Sequence, residues 1–303
     1  MEQTTLLRKL TWQSVTPDLK AAYDTAVGSD PSQSADHAFS SLCLWNDLYH
    51  QELAFFGGRV VVRFGREGDR HYLFPRGEGD LAPVVEQLMA EEPKLSFAAV
   101  PEAECEALLS AFPDRFEMVE TRDVADYIYA ALSLATLSGK KLHGKRNHIN
   151  AFSAAHAWHI SPLSPADHTA CLAITDAWGE GREVQSVAAE RQAILTALRH
   201  FDTLDLRGAV LYVEGEAVAF TVGAMITPDT LCVHVEKTLP DFQAAYPLIN
   251  REFVRMMMAE FPALEWVNRE DDMGLENLRA AKLSYRPQKL LRKFTVRRKS
   301  SLL

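Results

Sequence analysis

The sequence predicts an α/β (α+β) protein that is divided into two domains. The chain has 303 residues, enough for two domains of ordinary size, and its hydrophobic fraction of 47% is typical of a globular protein. In the second half, segments with strand and helix spacing follow the order β-α-α-β-β-β-α-β-α-β. The first half follows part of the same order, which indicates two similar domains although the residues themselves do not repeat visibly.

The first half supplies alternating strands and helices. Residues 53–64 and 71–74 are rich in apolar, β-branched and aromatic side chains, and the glycines between them, Gly65 and Gly68, predict a hairpin. The other elements expected here are helices at 18–26, 81–90 and 102–112, a strand at 95–100 and a long extended region at 116–129.

The second half has clearer boundaries. Ser164 and Pro165 are typical of a helix N-cap and first turn. A core-facing helix at 247–261 is predicted by the helical spacing of Ile249, Phe253, Met256 and Met257. The other elements expected are strands at 158–163, 208–213, 217–226, 231–237, 265–268 and 290–296, and helices at 137–152, 164–178, 186–201 and 275–283.

Polar residues are concentrated directly after one predicted strand. The apolar strand at 265–268 is followed at once by Arg269, Glu270, Asp271 and Asp272. Polar groups at the end of a buried strand are costly to fix in place, and active sites of α/β proteins are commonly built there. The alternative is an N-capped helix with acidic residues in its first turn. These residues alone leave both interpretations open.

Acyl transfer to an amine needs a base, donors that stabilise the oxyanion, and an acid. The candidate catalytic residues, most of them at or near predicted strand ends, are Glu236, Asn268, Glu270, Asp271 and Tyr285. The three carboxylates are candidate bases, the phenol is a candidate acid, and the amides of Asn268 and Asn250 could orient the acceptor. Each has a structural alternative: a solvated strand end, a helix N-terminus, a local backbone bond or a packed ring. Arg269 could clamp a carboxylate or phosphate, and Trp178 could form a substrate wall or part of the core.

The distribution of charge along the chain indicates which anionic partners the protein could bind. A formal net charge of -9 disfavours a protein built to coat nucleic acid. A local basic segment remains, with Lys140, Lys141, Lys145 and Arg146. This segment suits a phosphate-bearing donor such as a tRNA, or is a solvated helix face. The basic stretch 289–299 could contact tRNA or an anionic membrane surface, or form a solvated terminus.

Other patterns bear on compartment and metals. The longest apolar run, 217–226, is too short to span a membrane, and residues 1–5 lack the apolar core of a signal peptide. The four cysteines are far apart and form no C-x-x-C pair, so buried thiols in a reducing cytoplasm are expected. The scattered histidines show no ligand spacing, and no metal site is predicted.

Five strings carry a family resemblance: DYIY at 126–129, SGKKLHGKRN at 138–147, YPLIN at 246–250, VNRED at 267–271 and AKLSYRP at 281–287. They resemble a bacterial family grouped with the C-terminal catalytic domain of phosphatidylglycerol lysyltransferase. The element order of the second half resembles the GCN5-related N-acetyltransferase (GNAT) fold. The resemblance implies donor- or substrate-binding roles for Tyr246, Asn250, Arg269 and Lys282.

The resemblance also implies two tandem GNAT-like acyl-CoA N-acyltransferase domains, each a mixed central sheet flanked by helices. The expected division is a degenerate N-terminal domain at 1–129, a basic connecting helix at 130–155 and a domain carrying the site at 156–303. A cleft between the domains is expected to hold the donor.

Two departures from the family pattern bear on the function. The lysyltransferases resembled here carry membrane helices and this chain has none predicted, which argues against lipid modification. GNAT enzymes hold the CoA pyrophosphate on a glycine-rich loop, whereas the equivalent stretch 237–247 has no glycine, and Pro240 and Pro247 each remove an N–H donor. This argues against ordinary CoA binding and is compatible with a different donor, such as an aminoacyl-tRNA, or with lost activity.

We therefore expect an acyl- or aminoacyltransferase that uses an aminoacyl-tRNA or an acyl-CoA as donor. The expected acceptor is the amine or hydroxyl of a small molecule or peptide. The alternatives are a non-catalytic GNAT-like binding module and a conventional CoA-dependent N-acetyltransferase with an atypical pyrophosphate site. The oligomeric state is left open by the sequence.

Overall fold

The computed structural model describes residues 9–299, so residues 1–5, for which no signal peptide is predicted, lie outside the described residues. The strands are β1 Gln13–Ser14, β2 Glu52–Phe56, β3 Arg59–Arg66, β4 Asp69–Tyr72, β5 Arg76–Gly77, β6 Ser96–Pro101, β7 Phe116–Glu120, β8 Asp126–Ala130, β9 Trp158–Pro162, β10 Arg207–Val213, β11 Glu216–Thr227, β12 Thr230–Thr238, β13 Trp266–Asn268, β14 Lys289–Leu291 and β15 Lys293–Arg298. The α-helices are α1 Lys20–Val27, α2 Phe39–Leu44, α3 Asn46–Tyr49, α4 Leu81–Glu91, α5 Glu102–Ala111, α6 Ala131–Thr136, α7 His143–Ala155, α8 His168–Gly179, α9 Val184–Arg199, α10 Tyr246–Glu260 and α11 Glu276–Leu283.

The chain folds into two compact units that are not sequential halves. The larger unit contains Ser32–Leu48 and Asp123–Leu291, and the smaller unit contains the chain up to Pro31, Tyr49–Arg122 and the chain from Arg292. The expected boundaries at 129 and 155 therefore do not coincide with those of the units. The difference arises because strand partners are distant in sequence, and β15 pairs with β6 and β7 of the smaller unit.

The larger unit has a seven-stranded mixed sheet in the order β14-β8-β13-β12-β11-β10-β9. The pair β12–β13 is parallel and its other pairs are antiparallel. Helix α10 packs Ile249, Phe253 and Met257 into the core beside this sheet, as their spacing predicts, while Met256 is only partly buried. Burial of these side chains, at roughly 1.5–3 kcal/mol each, anchors α10 beside the strands that carry the polar residues.

A β-bulge interrupts the pairing of β11 with β12. Val222 pairs with Val235, but the next residue, Gly223, pairs with Val233, so His234 is the extra residue on β12. An ideal Cβ on Gly223 would lie 2.4 Å from the carbonyl oxygen of Cys232, so only glycine fits there without a shift. Bulges redirect side chains and are frequent beside active sites.

The smaller unit has its own mixed sheet, in the order β1-β2-β3-β4-β6-β15-β7, with β5 paired to β3. Its core is formed by side chains of these strands and of α4 and α5, which include Val61, Leu88, Phe97 and Leu108.

Three expected segments are divided in the structure. Residues 53–64 form β2 and β3, because Gly57 and Gly58 adopt positive φ angles of 59° and 76° and turn the chain. Residues 116–129 form β7 and β8, and residues 290–296 fall into β14 and β15; in both cases the two strands belong to different sheets. The basic helix at 137–152 begins only at His143, after a 3-10 turn at Lys140–Leu142. Within residues 9–299, no helix has both the length and the apolarity needed to cross a bilayer.

Candidate functional site

The larger unit encloses a cavity of about 790 Å³. This volume lies in the range of small-molecule sites. Its walls come from β12, from the loop after β13, from α7, α8, α9, α10 and α11, from the 3-10 segment before α10 and from Trp45. Five consecutive residues of β12, from Val233 to Lys237, line the cavity, and they include the bulged residue His234.

The centre of the site is a carboxylate held from two sides. Glu236 Oε1 accepts a hydrogen bond from Arg269 Nη2 at 3.0 Å, and its Oε2 accepts one from Asn250 Nδ2 at 2.9 Å. The Glu236 and Arg269 side chains are only 8% and 14% exposed. Two buried atoms of this network, Arg269 Nη1 and Asn250 Oδ1, have no hydrogen-bond partner among residues 9–299. A bound molecule with one acceptor and one donor could satisfy both.

Aromatic rings surround this ion pair. The Arg269 guanidinium carbon lies 4.8 Å from the ring centroid of Tyr285, and Lys145 Nζ lies 4.1 Å from the same centroid. Burial opposes the charge of Arg269, but Glu236 outweighs it, so the pKa of Arg269 is raised. Burial also raises the pKa of Tyr285, and the phenol therefore stays protonated at neutral pH. For Lys145, burial and the charge of Arg269 lower the pKa.

The loop after β13 is fixed in an unusual conformation. Glu270 has a φ of 57°, in the left-handed region that non-glycine residues rarely adopt. Its N–H donates to Asn268 Oδ1 at 2.6 Å, and the Nδ2 of the fully buried Asn268 donates to Gln33 O and to Asp126 Oδ2. Backbone strain at this level costs about 1–3 kcal/mol and is often found at functional sites.

Lys282 fastens the same loop from α11. Its Nζ donates to the carbonyl oxygen of Arg269 at 2.6 Å and to that of Asp271. Burial lowers the pKa of Lys282, and the charge of Glu270 partly opposes this shift. The side chain thus holds the loop while it also lines the cavity.

Asp272 is a structural residue of the loop. Its carboxylate is fully buried and accepts hydrogen bonds from Tyr127 Oη, from the N–H of Gly274, and from Arg279 Nε and Nη2, the last two at 2.9 Å each. Burial alone would raise the pKa of Asp272, but the bonds from Arg279 and Tyr127 outweigh it and lower the pKa. The carboxylate therefore fixes the start of α11.

A second pair of charges lies at another wall. Lys237 Nζ lies 2.5 Å from Glu190 Oε2 and 3.2 Å from the ring centroid of Trp178. The Arg182 guanidinium carbon lies 4.1 Å from the same ring. Burial lowers the pKa of Lys237, and Glu190 opposes this shift. The indole is therefore an apolar wall with cations against it.

Most residues predicted for the site do line the cavity. They are Lys145, Trp178, Glu236, Tyr246, Arg269, Glu270, Asp271, Lys282 and Tyr285. Asn250 and Asn268 are buried and contact lining residues instead. Lys140 and Lys141 are exposed, and Arg146 donates to the carbonyl oxygens of Leu137 and Gly139. The catalytic and binding roles of all these residues stay predictions.

One cluster in the wall was not predicted from the sequence. His234 Nδ1 lies 2.9 Å from Glu270 Oε1 and 3.6 Å from Cys232 Sγ, and its Nε2 lies 2.8 Å from Ser40 Oγ. Trp45, on the same N-terminal segment as Ser40, also lines the cavity. Cys232, His234 and Glu236 alternate along β12, but the bulge at His234 breaks the period-2 rule there, so this spacing did not reveal the cluster. No local pattern pointed to residues 32–48.

The stretch equivalent to a CoA loop is a 3-10 segment, Pro240–Ala245, that leads directly into α10. Pro247 stands in the first turn of α10, and the N-cap Ala245 provides no side-chain bond. Pro247 has no N–H to offer an anion there, so the local geometry agrees with the expected departure from a glycine-rich pyrophosphate loop.

Comparison with solved structures gives three informative likenesses. A conserved protein of unknown function from Bacteroides thetaiotaomicron is 33% identical, with 96% of this chain and 100% of that chain covered and a TM-score of 0.89. L-PGS from Bacillus licheniformis is 16% identical, with 95% and 93% covered and a TM-score of 0.68. A tandem GNAT protein from the clavulanic acid biosynthesis pathway is 10% identical, with 95% and 98% covered and a TM-score of 0.50.

The search of curated protein sequences gave no match. The two mixed sheets flanked by helices, together with the likeness to a tandem GNAT protein, confirm the predicted GNAT-like fold class. The family model described as "Phosphatidylglycerol lysyltransferase, C-terminal" matches residues 30–297, which is most of the chain. This chain therefore belongs to the phosphatidylglycerol lysyltransferase C-terminal family.

Proposed function

We propose that this protein transfers an aminoacyl group from an aminoacyl-tRNA to an amine or hydroxyl acceptor in the cavity of the larger unit. Family membership supports an aminoacyltransferase, because the family description names a lysyltransferase. The observation that carries the proposal is the Glu236 carboxylate, held by Arg269 and Asn250 on the wall of a ligand-sized cavity. An aminoacyl-tRNA is a cytoplasmic molecule, so the proposal also places the chain in the cytoplasm.

The proposed chemistry is attack of the acceptor nitrogen or oxygen on the ester carbonyl of the donor. Glu236 accepts the proton of the acceptor, and hydrogen bonds from Arg269 and Asn250 hold its carboxylate in position. The new C–N or C–O bond forms as the ester C–O bond breaks. The cations Lys145 and Arg269 stabilise the oxyanion, and Tyr285, whose pKa is raised by burial, donates a proton to the leaving ribose oxygen.

The donor class is supported by charge and by the entry to α10. Lys145 lines the cavity, and the exposed Lys140 and Lys141 precede it closely in the sequence. Positive charge therefore continues from the cavity wall to the surface. The entry to α10 has no glycine, with Pro240 in the preceding 3-10 segment and Pro247 in the first turn of the helix, which disfavours an acyl-CoA pyrophosphate.

The test is a transfer assay with the purified chain. A set of radiolabelled aminoacyl-tRNAs is offered with small amines, peptides and phosphatidylglycerol vesicles, and acetyl-CoA with the same acceptors forms a parallel arm. We expect transfer from at least one aminoacyl-tRNA and a fall of about 100-fold or more in Glu236→Gln. Glu216→Gln, an exposed carboxamide control in the same unit, should keep the wild-type rate.

Three outcomes would contradict the proposal. Acetyl transfer from acetyl-CoA without aminoacyl transfer would identify a conventional N-acetyltransferase. Binding of charged tRNA without turnover for any acceptor would identify a binding module. An undiminished rate in Glu236→Gln would remove Glu236 as the base.

A further inference from the structure

We propose that Cys232, His234 and Glu270 form a binding site for a zinc-type divalent metal ion in the wall of the cavity. The potential ligand atoms are Cys232 Sγ, His234 Nδ1 and Glu270 Oε1, and all lie within 4.8 Å of one another. Thiolate, imidazole and carboxylate together are a donor set that zinc and its neighbours in the first transition row accept.

The spacing of the three atoms fits a tetrahedral ion. A zinc ion with bonds of about 2.3 Å to sulfur and about 2.0 Å to nitrogen or oxygen holds its ligand atoms roughly 3.3–3.6 Å apart. The separations are 3.6 Å from Cys232 Sγ to His234 Nδ1, 3.8 Å from Cys232 Sγ to Glu270 Oε1, and 2.9 Å from His234 Nδ1 to Glu270 Oε1. The last distance is that of a hydrogen bond, whose proton the metal would replace with a shift of a few tenths of an ångström.

The surroundings hold the ligands in place. Ser40 Oγ lies 2.8 Å from His234 Nε2, and such a partner on the second ring nitrogen fixes the orientation of a metal-binding histidine. The bulge in β12 sets the position of His234, and the left-handed φ of Glu270 directs its carboxylate from the loop after β13. Two independent departures from regular backbone thus converge on the same three atoms.

The contact with Ser40 also resembles a Ser-His-acid arrangement, but the burial argues against that role. Ser40 is only 4% exposed and is not among the residues that line the cavity, so its hydroxyl does not face a substrate there. A serine nucleophile would also give no role to Cys232 Sγ, which lies beside Nδ1, the ring nitrogen that faces Glu270. Ser40 is therefore better explained as the partner that orients His234.

This site was not expected from the sequence, because two of its ligands lie within β12, the third lies in the loop after β13, and they show no local ligand spacing. His234 and Glu270 line the cavity, and three protein ligands leave one position of a tetrahedral ion for water or a ligand. Metal binding by these three residues does not depend on aminoacyl transfer.

The test uses Co²⁺ as a spectroscopic probe, followed by displacement with Zn²⁺. We expect one Co²⁺ per chain, visible-range bands typical of tetrahedral cobalt, and a near-ultraviolet band from thiolate-to-cobalt charge transfer. Cys232→Ala should lose the charge-transfer band, whereas Cys171→Ala, which alters an equally buried free cysteine, should keep it. Ser40→Ala should weaken metal affinity by about 10- to 100-fold because His234 is then no longer held in orientation.

Glu270→Gln provides a second variant if Cys232→Ala does not fold, because the Glu270 side chain is 25% exposed and tolerates change more readily. Its far-ultraviolet circular dichroism should match wild type while its metal affinity falls at least 10-fold. The proposal is overturned if the wild-type chain binds no stoichiometric Co²⁺ or Zn²⁺, or if the charge-transfer band persists in Cys232→Ala.

Discussion

Glu236 and Arg269 form an ion pair of 3.0 Å between Oε1 and Nη2, although 33 positions separate them in the sequence. The parallel pairing of β12 with β13 explains this proximity. β13 ends at Asn268, opposite Cys232, while β12 continues to Thr238, so the loop that follows β13 can run beside the remainder of β12. Both residues line the cavity, together with Val235 and Lys237 beside Glu236 and Glu270 and Asp271 after Arg269. The ion pair thus joins two candidate site residues, Glu236 in β12 and Arg269 after β13, that the sequence analysis identified separately.

Removing one partner of this pair should destabilise the protein strongly. Arg269→Met leaves the Glu236 carboxylate buried beside an apolar group, and we expect a loss of about 3–5 kcal/mol in the free energy of unfolding. The measurement is urea unfolding followed by tryptophan fluorescence. The double variant Glu236→Gln with Arg269→Met should recover part of the loss, because no charge is then stranded.

The matched control is the exposed pair of Arg191 and Asp176, whose side chains are 41% and 52% exposed. Arg191→Ala should change stability by less than about 1 kcal/mol. Equal losses in Arg269→Met and Arg191→Ala would show that burial does not govern the energetics of the Glu236 pair.

Asp272 should make the stability depend on acid pH. Its pKa is lowered in the folded state, so its stabilisation is complete above the ordinary aspartate pKa of about 3.9 and is lost as the pH falls below that value. Asp272→Asn should therefore cost on the order of 3 kcal/mol at neutral pH. The difference from wild type should shrink between about pH 5 and pH 3.

Thermal unfolding over this range is the measurement, and the exposed Asp202→Asn provides the control. Its stability curve should run parallel to that of wild type. A constant gap between Asp272→Asn and wild type at every pH would contradict the assignment of this titration to Asp272.

The loop after β13 shows what the sequence could reveal. Arg269, Glu270 and Asp271 are consecutive, and Lys282 and Tyr285 follow within one helix and the turn after it, so one apolar strand and one short helix were enough to bring them together. Local periodicity identifies such segments because each lies on a single element or on the loop beside it.

Contacts that depend on distant pairing were not predictable in this way. Trp45 and Ser40 belong to residues 32–48, a part of the larger unit that is distant in sequence from the rest, and no local pattern indicates where that segment packs. The bulge at His234 depends on the register of β11, so the cluster with Cys232 and Glu270 was invisible to spacing rules. The division of 290–296 into β14 and β15 likewise depends on their partner strands.

The exposed basic residues should affect tRNA binding if the proposed donor is correct. Lys140→Glu with Lys141→Glu should weaken binding of tRNA at least 10-fold. The log–log slope of affinity against salt concentration should become shallower by about 0.7–0.9 for each phosphate that the protein no longer neutralises. Filter binding with uncharged tRNA measures this separately from transfer.

Arg66→Glu with Lys94→Glu makes the same change in net charge at exposed positions of the smaller unit. Binding should change little in this control. Equal losses in the two double variants would mean that net charge, and not the basic segment, governs the association.

Replacing Gly223 should destabilise the protein, because a side chain at this position would collide with the backbone of the bulge. In Gly223→Ala the new Cβ would meet the Cys232 carbonyl oxygen at 2.4 Å, so the backbone of β11 or β12 must shift at the bulge. We expect a loss of about 1–3 kcal/mol in the free energy of unfolding, typical of overpacking in a core. Such a shift would also displace His234 from Glu270, so the Co²⁺ affinity of the variant should fall.

The control is Gly144→Ala in α7, where no atom lies within 4 Å of the added Cβ. Its free energy of unfolding should instead increase by up to about 1 kcal/mol. If Gly223→Ala matched wild type in both stability and metal affinity, the bulge could not be what positions His234.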